Sequence, residues 1–424
     1  MSLFIEKLVF GGQALARTPE QTVFVWNALP GEEVEIAYLA QKKNFAEAIT
    51  TKIISASPDR VVPLEDHFLS SSPWQMMNWE AENKYKREIA IETYGRNGGL
   101  ILPSGPLEIA FDEHQLGYRN KIEFSFIELP DKKISLAFFT RGGRQRRPIN
   151  GSLLAEPVIN ETAQEILDWI NEVKIPIRSL KSLIVRSNGT NETIAALFIK
   201  DKLAFDHYPT TSKKLLGFHL YYSTHKSPAS VPSELLYAMG QDYLTAKILG
   251  TTLKFGLLSF WQINIPLFTI ALNDIATFVE SKNSIIDFYS GVGAISLPLA
   301  KNQSHTILVE SSEEGVSYAN ENIKLNSLAN TETYCRPAEK MIDMIDHESI
   351  IILDPPRAGL HDQVTLALLN KKPPRIIYLS CDISTQARDI GRLSEHYKPI
   401  FMKLYNFFPR TPHIEGLVVL DRID

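Results

Sequence analysis

The chain has 424 residues, 44% hydrophobic and 22% charged, with 44 Lys+Arg against 49 Asp+Glu for a net charge of −5. Its two cysteines, Cys335 and Cys381, cannot build a disulfide framework, a four-thiolate zinc site or a cysteine-held iron–sulfur cluster. No apolar run is long enough for a membrane span and MSLFIEKLVFGGQ does not read as a signal peptide, so we expect a soluble, cytoplasmic, monomeric protein of two or three domains.

Charge and rhythm divide the chain into three. Basic and acidic side chains number 6 and 7 over residues 1–60, 23 and 22 over 61–255, and 15 and 20 over 256–424. None of these regions is basic enough to announce nucleic acid unaided. Residues 1–57 carry β-rich runs (LVFGG, QTVFVWNAL, EEVEIAYLA, FAEAITTKII) punctuated by Gly, Pro and Asn, which predicts a small five-stranded barrel. Such a barrel either presents a face to oligonucleotides or is a plain accessory unit.

Residues 58–255 predict an α+β middle domain. Helical spacing covers 76–94, and strands are expected at IEFSFIEL, ISLAFFT, LKSLIVRS and IAALFIK. A second helix is expected at about 160–173, capped by Asn160 with Glu161 in its first turn. The run RGGRQRR holds Arg141, Arg144, Arg146 and Arg147 and can track phosphates or simply solvate a loop.

From 256 onward the apolar runs SIIDFY, HTILVE, SIIILD and RIIYLS alternate with helical segments, the mark of a doubly wound α/β domain with a buried parallel sheet. The first strand leads into Asp287-Phe288-Tyr289-Ser290-Gly291-Val292-Gly293, and the second ends in Glu310. Glycines allow a sharp turn and close approach of a ligand, and a strand-end acid can hold a ribose. Ser296 stands where a dinucleotide fingerprint wants glycine, which disfavours NAD; Asp287 leans towards a cationic cofactor such as S-adenosylmethionine. A structural turn is the remaining reading.

Three further segments lie at the ligand-binding rim of such a sheet: Asp354-Pro355-Pro356-Arg357, Ser380-Cys381-Asp382 and Thr411-Pro412-His413-Ile414-Glu415. Thiol, acid and methyl donor suit methylation of a pyrimidine at carbon 5, which becomes nucleophilic once a thiolate adds to carbon 6. Cys381 is then the nucleophile and Glu415 the base that removes the carbon 5 proton. Arg357 can steady the oxyanion or help hold Cys381 as thiolate. Cys335 has no such partners and is expected to be a packed small side chain.

These residues resemble the RNA uridine carbon-5 methyltransferases, through SFWQIN (259–264), DFYSGVGAISLPLA (287–300), LVE (308–310) and NIKLN (322–326). DPPRAGL (354–360), YLSCDISTQARD (378–389) and FFPRTPHIEGLVVL (407–420) complete the C-terminal set. GYRNKIEFSF (117–126) matches the family's central domain and residues 1–57 its TRAM barrel, so the resemblance is co-linear over nearly the whole chain. It implies domains at 1–57, 58–255 and 256–424. S-adenosylmethionine would lie against Gln262, Tyr289, Gly291, Gly293, Glu310 and Asp354, and RNA against Arg119, Lys121, Arg141, Arg144, Arg146 and Arg147. The implied substrate is a uridine of structured RNA, 23S ribosomal ahead of transfer RNA, with no DNA or membrane partner. Ala294, Pro337 and Asp382 depart from the family pattern near the cofactor and nucleophile. At the four cluster-cysteine positions of many members stand Glu65, Ser71, Trp74 and Ser152, so no metal is expected there and packing around Trp74 should replace it. Competing readings are an RNA cytosine carbon-5 methyltransferase, disfavoured because DPPR lacks a cysteine, an amino-group methyltransferase, which leaves Cys381 and Glu415 idle, and a non-catalytic RNA-binding factor.

Overall fold

The computed structural model describes residues 2–100 and 106–423. Residues 2–55 form one sheet of six strands, one more than expected. Ser2–Phe4, Lys7–Leu8 and Ala14–Arg17 precede the longer Thr22–Trp26, Glu33–Gln41 and Phe45–Ser55. The first strands, of two to four residues, are too short to show period-2 patterning, so the count came out one low.

The middle of the chain builds a seven-stranded sheet that includes Lys121–Glu128, Ile134–Phe139, Leu180–Ser187 and Thr193–Ile199. One face is covered by the helix Pro157–Glu172, which buries Ile159, Ile166 and Ile170. This helix starts earlier than expected. Proline suits its first turn, and Asn160 does not cap it. The Asn160 amide instead clasps Ser152, accepting its N–H and donating to its carbonyl, both at 3.0 Å.

Trp79–Gly98, expected at 76–94, is a 20-residue helix capped by the Asn78 side chain and ended by left-handed Gly99; Pro73–Met76 before it is a separate 3-10 turn. Although it lies inside 58–255, this helix packs on Ile383–Leu393 of the C-terminal part. The strand Glu108–Ala110 likewise joins the edge of the C-terminal sheet, parallel to Tyr397–Tyr405.

That sheet has eight strands. Thr331–Cys335, His305–Glu310, Ser284–Phe288, Ile350–Leu353 and Arg375–Ser380 run parallel, and Glu415–Arg422 and Tyr397–Tyr405 follow antiparallel. Strand order reverses at Ser284–Phe288, whose neighbours are reached in opposite directions, so a ligand crevice opens above its carboxyl end. Cys335 ends the edge strand and is exposed rather than packed, because its place at the end of an edge strand leaves the thiol open to solvent. No helix among the described residues is long and apolar enough to cross a membrane.

Candidate active site

The crevice is acidic and dry. Asp287 is fully buried, and neither carboxylate oxygen has a well-formed hydrogen bond, although the Ser296 hydroxyl lies beside it. Burial, reinforced by Asp354 and Glu310, pushes its carboxyl up to about 7. Tyr289 follows with φ 66°, a left-handed backbone that costs a non-glycine residue about 1–3 kcal/mol and is typically tolerated at functional sites. Glu310 turns back to accept the N–H of Gly291 at 3.0 Å and that of Ser312 at 2.7 Å. The two glycines differ in purpose. A Cβ on Gly291 would meet open space in a left-handed turn, whereas one on Gly293 would strike Leu297 at 2.5 Å. Gly291 therefore keeps the crevice floor open, and Gly293 lets the turn pack.

Asp354 ends its strand and accepts from Gln262 Nε2 at 3.2 Å. Gln262 is in turn fixed through its own carbonyl, which takes Asn120 Nδ2 at 2.8 Å, so the central sheet reaches the crevice directly. The buried, unpartnered Asp287, the Gly291 opening and strained Tyr289 fit a cationic, ribose-bearing group such as S-adenosylmethionine. Of the departures from the family pattern, Asp382 caps Ile383–Leu393 through the N–H groups of Ser384 and Thr385, both at 3.0 Å. Pro337 opens a 3-10 turn whose Glu339 adds to the burial that raises the Tyr289 phenol. Ala294 is half-buried against the apolar core.

The thiol and the last acid meet through strand register. Ser380 pairs with Gly416 across the antiparallel ladder, so Cys381 and Glu415 are the next residues at the same rim. Burial and the carboxylates of Glu415 and Asp354 push the Cys381 thiol up to about 12; Arg357 opposes them without prevailing. The expectation that Arg357 holds Cys381 as a resting thiolate is therefore corrected: burial between two acids outweighs one exposed guanidinium. Glu415 is itself buried and raised well above the usual carboxylate range by burial and then by Asp354.

His413, to which the sequence assigned no role, lies at the mouth with Nδ1 3.5 Å from Arg357 Nη2. Burial first, then the positive charges of Arg357, Arg119, Lys86 and Arg141, push it down to about 4, so the ring is neutral and can accept from Arg357.

The segment between Tyr397–Tyr405 and Glu415–Arg422 is pinned from beneath by groups that sequence reading missed. On Trp79–Gly98, Glu82 and Lys86 form a fully buried i,i+4 pair at 3.0 Å. Lys86 Nζ donates to Asn406 Oδ1 at 2.5 Å and to the Phe408 carbonyl at 3.1 Å. Glu82 accepts Asn406 Nδ2 at 3.0 Å and the Arg410 N–H at 3.0 Å. Tyr118 donates to the Pro409 carbonyl at 3.0 Å, and Trp74 N–H to that of Arg410 at 3.1 Å. The i,i+4 charge spacing was visible, but partners more than 300 residues away were not.

The predicted RNA contacts separate. Arg119 and Arg141 act on His413, so they border the site. Arg141 is also held by the Leu69 carbonyl at 2.8 Å and stacks 4.5 Å from the Trp26 ring of the N-terminal sheet. Arg144 and Arg146 are exposed, and Arg147 pairs with Asp66 at 2.7 Å. Lys121 is half-buried beside Arg186 and Glu314, with its ammonium pushed down to about 8, chiefly by burial.

At the four positions that carry cysteines in cluster-bearing proteins, Trp74 is fully buried and donates to the Gly12 carbonyl at 3.1 Å. Packing is only part of the replacement. Glu65 accepts the Leu153 N–H at 2.6 Å and Gln75 Nε2 at 2.7 Å, with Ser72, His67 and Ser71 continuing the chain. Ser152 is the residue clasped by Asn160.

A doubly wound sheet with an acidic crevice at its switch point and a thiol on the adjoining rim is a ligand-binding domain of the Rossmann type. Over residues 254–423 the chain matches the family described as tRNA (uracil-5-)-methyltransferase. A Bacteroides thetaiotaomicron protein named an uncharacterized RNA methyltransferase is 27% identical over 97% of this chain and 99% of its own. One of the same name from Caldanaerobacter subterraneus is 28% identical over 97% and 96%. The fold matches the Pyrococcus abyssi tRNA (uracil-54, C5)-methyltransferase, solved in complex with S-adenosyl-L-homocysteine. That match has a TM-score of 0.80 and 22% identity over 99% of this chain and all of that one.

Proposed function

We propose that this protein methylates carbon 5 of a uridine in structured RNA from S-adenosylmethionine, with 23S ribosomal RNA ahead of transfer RNA as the source. The observation that carries the reading is the register that sets Cys381 beside Glu415 and within reach of the Asp354 charge. When bound, S-adenosylmethionine supplies an electrophilic methyl group and a positive charge that favours the ionised forms of the acids around it.

The Cys381 thiol gives up its proton to solvent as Sγ adds to carbon 6 of the uracil, which leaves carbon 5 an enolate carbon able to take a methyl group. Arg357, oriented by neutral His413, faces the developing oxyanion. Glu415 then removes the remaining carbon 5 proton, the ring double bond re-forms, and the carbon–sulfur bond breaks to release a thiolate that regains its proton from solvent. Gln262, Tyr289, Gly291, Gly293, Glu310 and Asp354 hold the methyl donor. A uridine inside a helix must be flipped out to reach Cys381.

The test is nucleoside mass spectrometry of ribosomal and transfer RNA from cells with and without the gene, followed by restoration with purified protein. The reading expects 5-methyluridine to vanish from one RNA and return only with S-adenosylmethionine present. An unchanged content in both, or 5-methylcytidine as the restored product, overturns it.

A further inference from the structure

The central sheet is covered on one face by Pro157–Glu172. Its other face is only partly covered: Ile184, Ile194 and Phe198 pack with Phe255 of the C-terminal part, whereas the outer strands leave a cavity of about 390 Å³. Ser125 and Ala137 are register partners in its wall.

Three features of the cavity ask for a ligand. Ser125 is 8% exposed, and its buried hydroxyl has no hydrogen-bond partner, a penalty that a polar ligand atom would remove. Lys181, Lys200 and Arg146 line it without a carboxylate partner among the described residues. The Lys181 ammonium is already satisfied by the Ser223 hydroxyl at 2.7 Å and the carbonyls of Thr224 and Ser227, so Lys200 and Arg146 are the cations left to a ligand. The single acid of the lining, Glu123, is occupied by the Ser230 hydroxyl at 2.6 Å. Finally, Phe139 is 50% exposed, with the Arg146 guanidinium 5.2 Å from its ring.

We propose that this cavity takes one unpaired nucleotide of the substrate RNA, its base on Phe139, its phosphate between Lys200 and Arg146, and a polar base atom on Ser125. The inference rests on the RNA methyltransferase reading and adds a second contact point to it. An aromatic face with flanking cations is how sequence-tolerant single-strand sites are built. The strand Lys121–Glu128 acts as the ruler. Asn120 touches the Gln262 carbonyl, and Ser125 lies five residues further, roughly 17 Å at about 3.4 Å per residue. The nucleotide held there is therefore a near neighbour of the target, and the exposed Arg144 continues the positive track.

The experiment measures binding of a short, labelled oligouridylate to the full chain by fluorescence anisotropy, with Phe139→Ala and Lys200→Glu as variants. Each is expected to bind about tenfold more weakly, with S-adenosylmethionine affinity unchanged as the check on folding. Uridine monophosphate at millimolar concentration should not displace the oligonucleotide. A change below twofold in both variants overturns the proposal, and displacement by the monophosphate reassigns the cavity to a free nucleotide and overturns the RNA assignment. Weakened oligonucleotide binding in a protein that methylates no RNA leaves the cavity standing and removes the enzymatic reading instead.

Discussion

Asp287 carries a buried carboxyl at about 7 with no well-formed hydrogen bond, and Asp354, whose charge acts on it, is likewise raised by burial. A positive group bound between them favours their ionised forms. Below pH 7 binding must therefore release protons, so cofactor affinity should rise with pH and level off above about 7. Titration calorimetry in buffers of different ionisation enthalpy should detect that release near pH 6.5; pH-independent binding would contradict it. His413 has the opposite sign. Its folded value of about 4 lies below the ordinary 6.5, so the unfolded chain binds more protons between the two. Stability from this residue is full above pH 6.5 and is lost as pH falls towards 4. Thermal unfolding of His413→Gln, an uncharged side chain, should show a smaller loss over that window. Cys381, Glu415 and the Gly291–Glu310 pair were legible in sequence because strand ends announce themselves through apolar runs. Gln262 was legible only by resemblance, since a loop glutamine carries no local signal.

At the scale of elements, side-chain amides do work that secondary-structure reading does not see. In Glu313–Leu325, Asn322 donates to the carbonyls of Lys254 and Val292 and accepts the Lys254 N–H, while Asn326 exchanges two bonds with Thr252. The hairpin Tyr243–Ile248 with Thr251–Gly256 is thereby stitched to Glu313–Leu325, which gives the motif NIKLN a structural meaning. The buried Glu82–Lys86 pair does the same for the rim that carries Glu415. Lys86→Met takes from buried Glu82 its nearer cation and leaves it the Arg410 guanidinium at 3.6 Å, which costs up to about 3 kcal/mol. We expect a marked fall in melting temperature, partly recovered in Glu82→Gln/Lys86→Met. A melting temperature unchanged by Lys86→Met would show that the pair contributes little. The misplaced Asn160 cap and the packed role given to Cys335 failed for one reason: each was judged from sequence neighbours, whereas Ser152 and an open sheet edge decided them.

For the whole molecule, a net charge of −5 repels nucleic acid at long range, so attraction must come from cations gathered at one mouth. Arg119 and Arg141 lie there, with Arg144 and Arg146 exposed beside them. RNA affinity should fall as salt rises, and Arg144→Gln should reduce the slope of log affinity against log salt by about 0.7. An unaltered slope would place Arg144 off the RNA path. The doubly wound C-terminal sheet was readable because buried parallel strands are continuous apolar runs. The way Trp79–Gly98 and Glu108–Ala110 from the middle of the chain join it was not, because such pairing leaves no trace in spacing.

The central claim is that Cys381 bonds to carbon 6 of a uracil and Glu415 releases it. RNA containing 5-fluorouridine, incubated with the protein and S-adenosylmethionine, should yield a protein–RNA adduct on denaturing gels, because fluorine at carbon 5 cannot leave as a proton does. Cys381→Ala should form none, and Glu415→Gln should accumulate the adduct even on ordinary uridine. No adduct with the unaltered protein, or one that survives Cys381→Ala, would contradict the account.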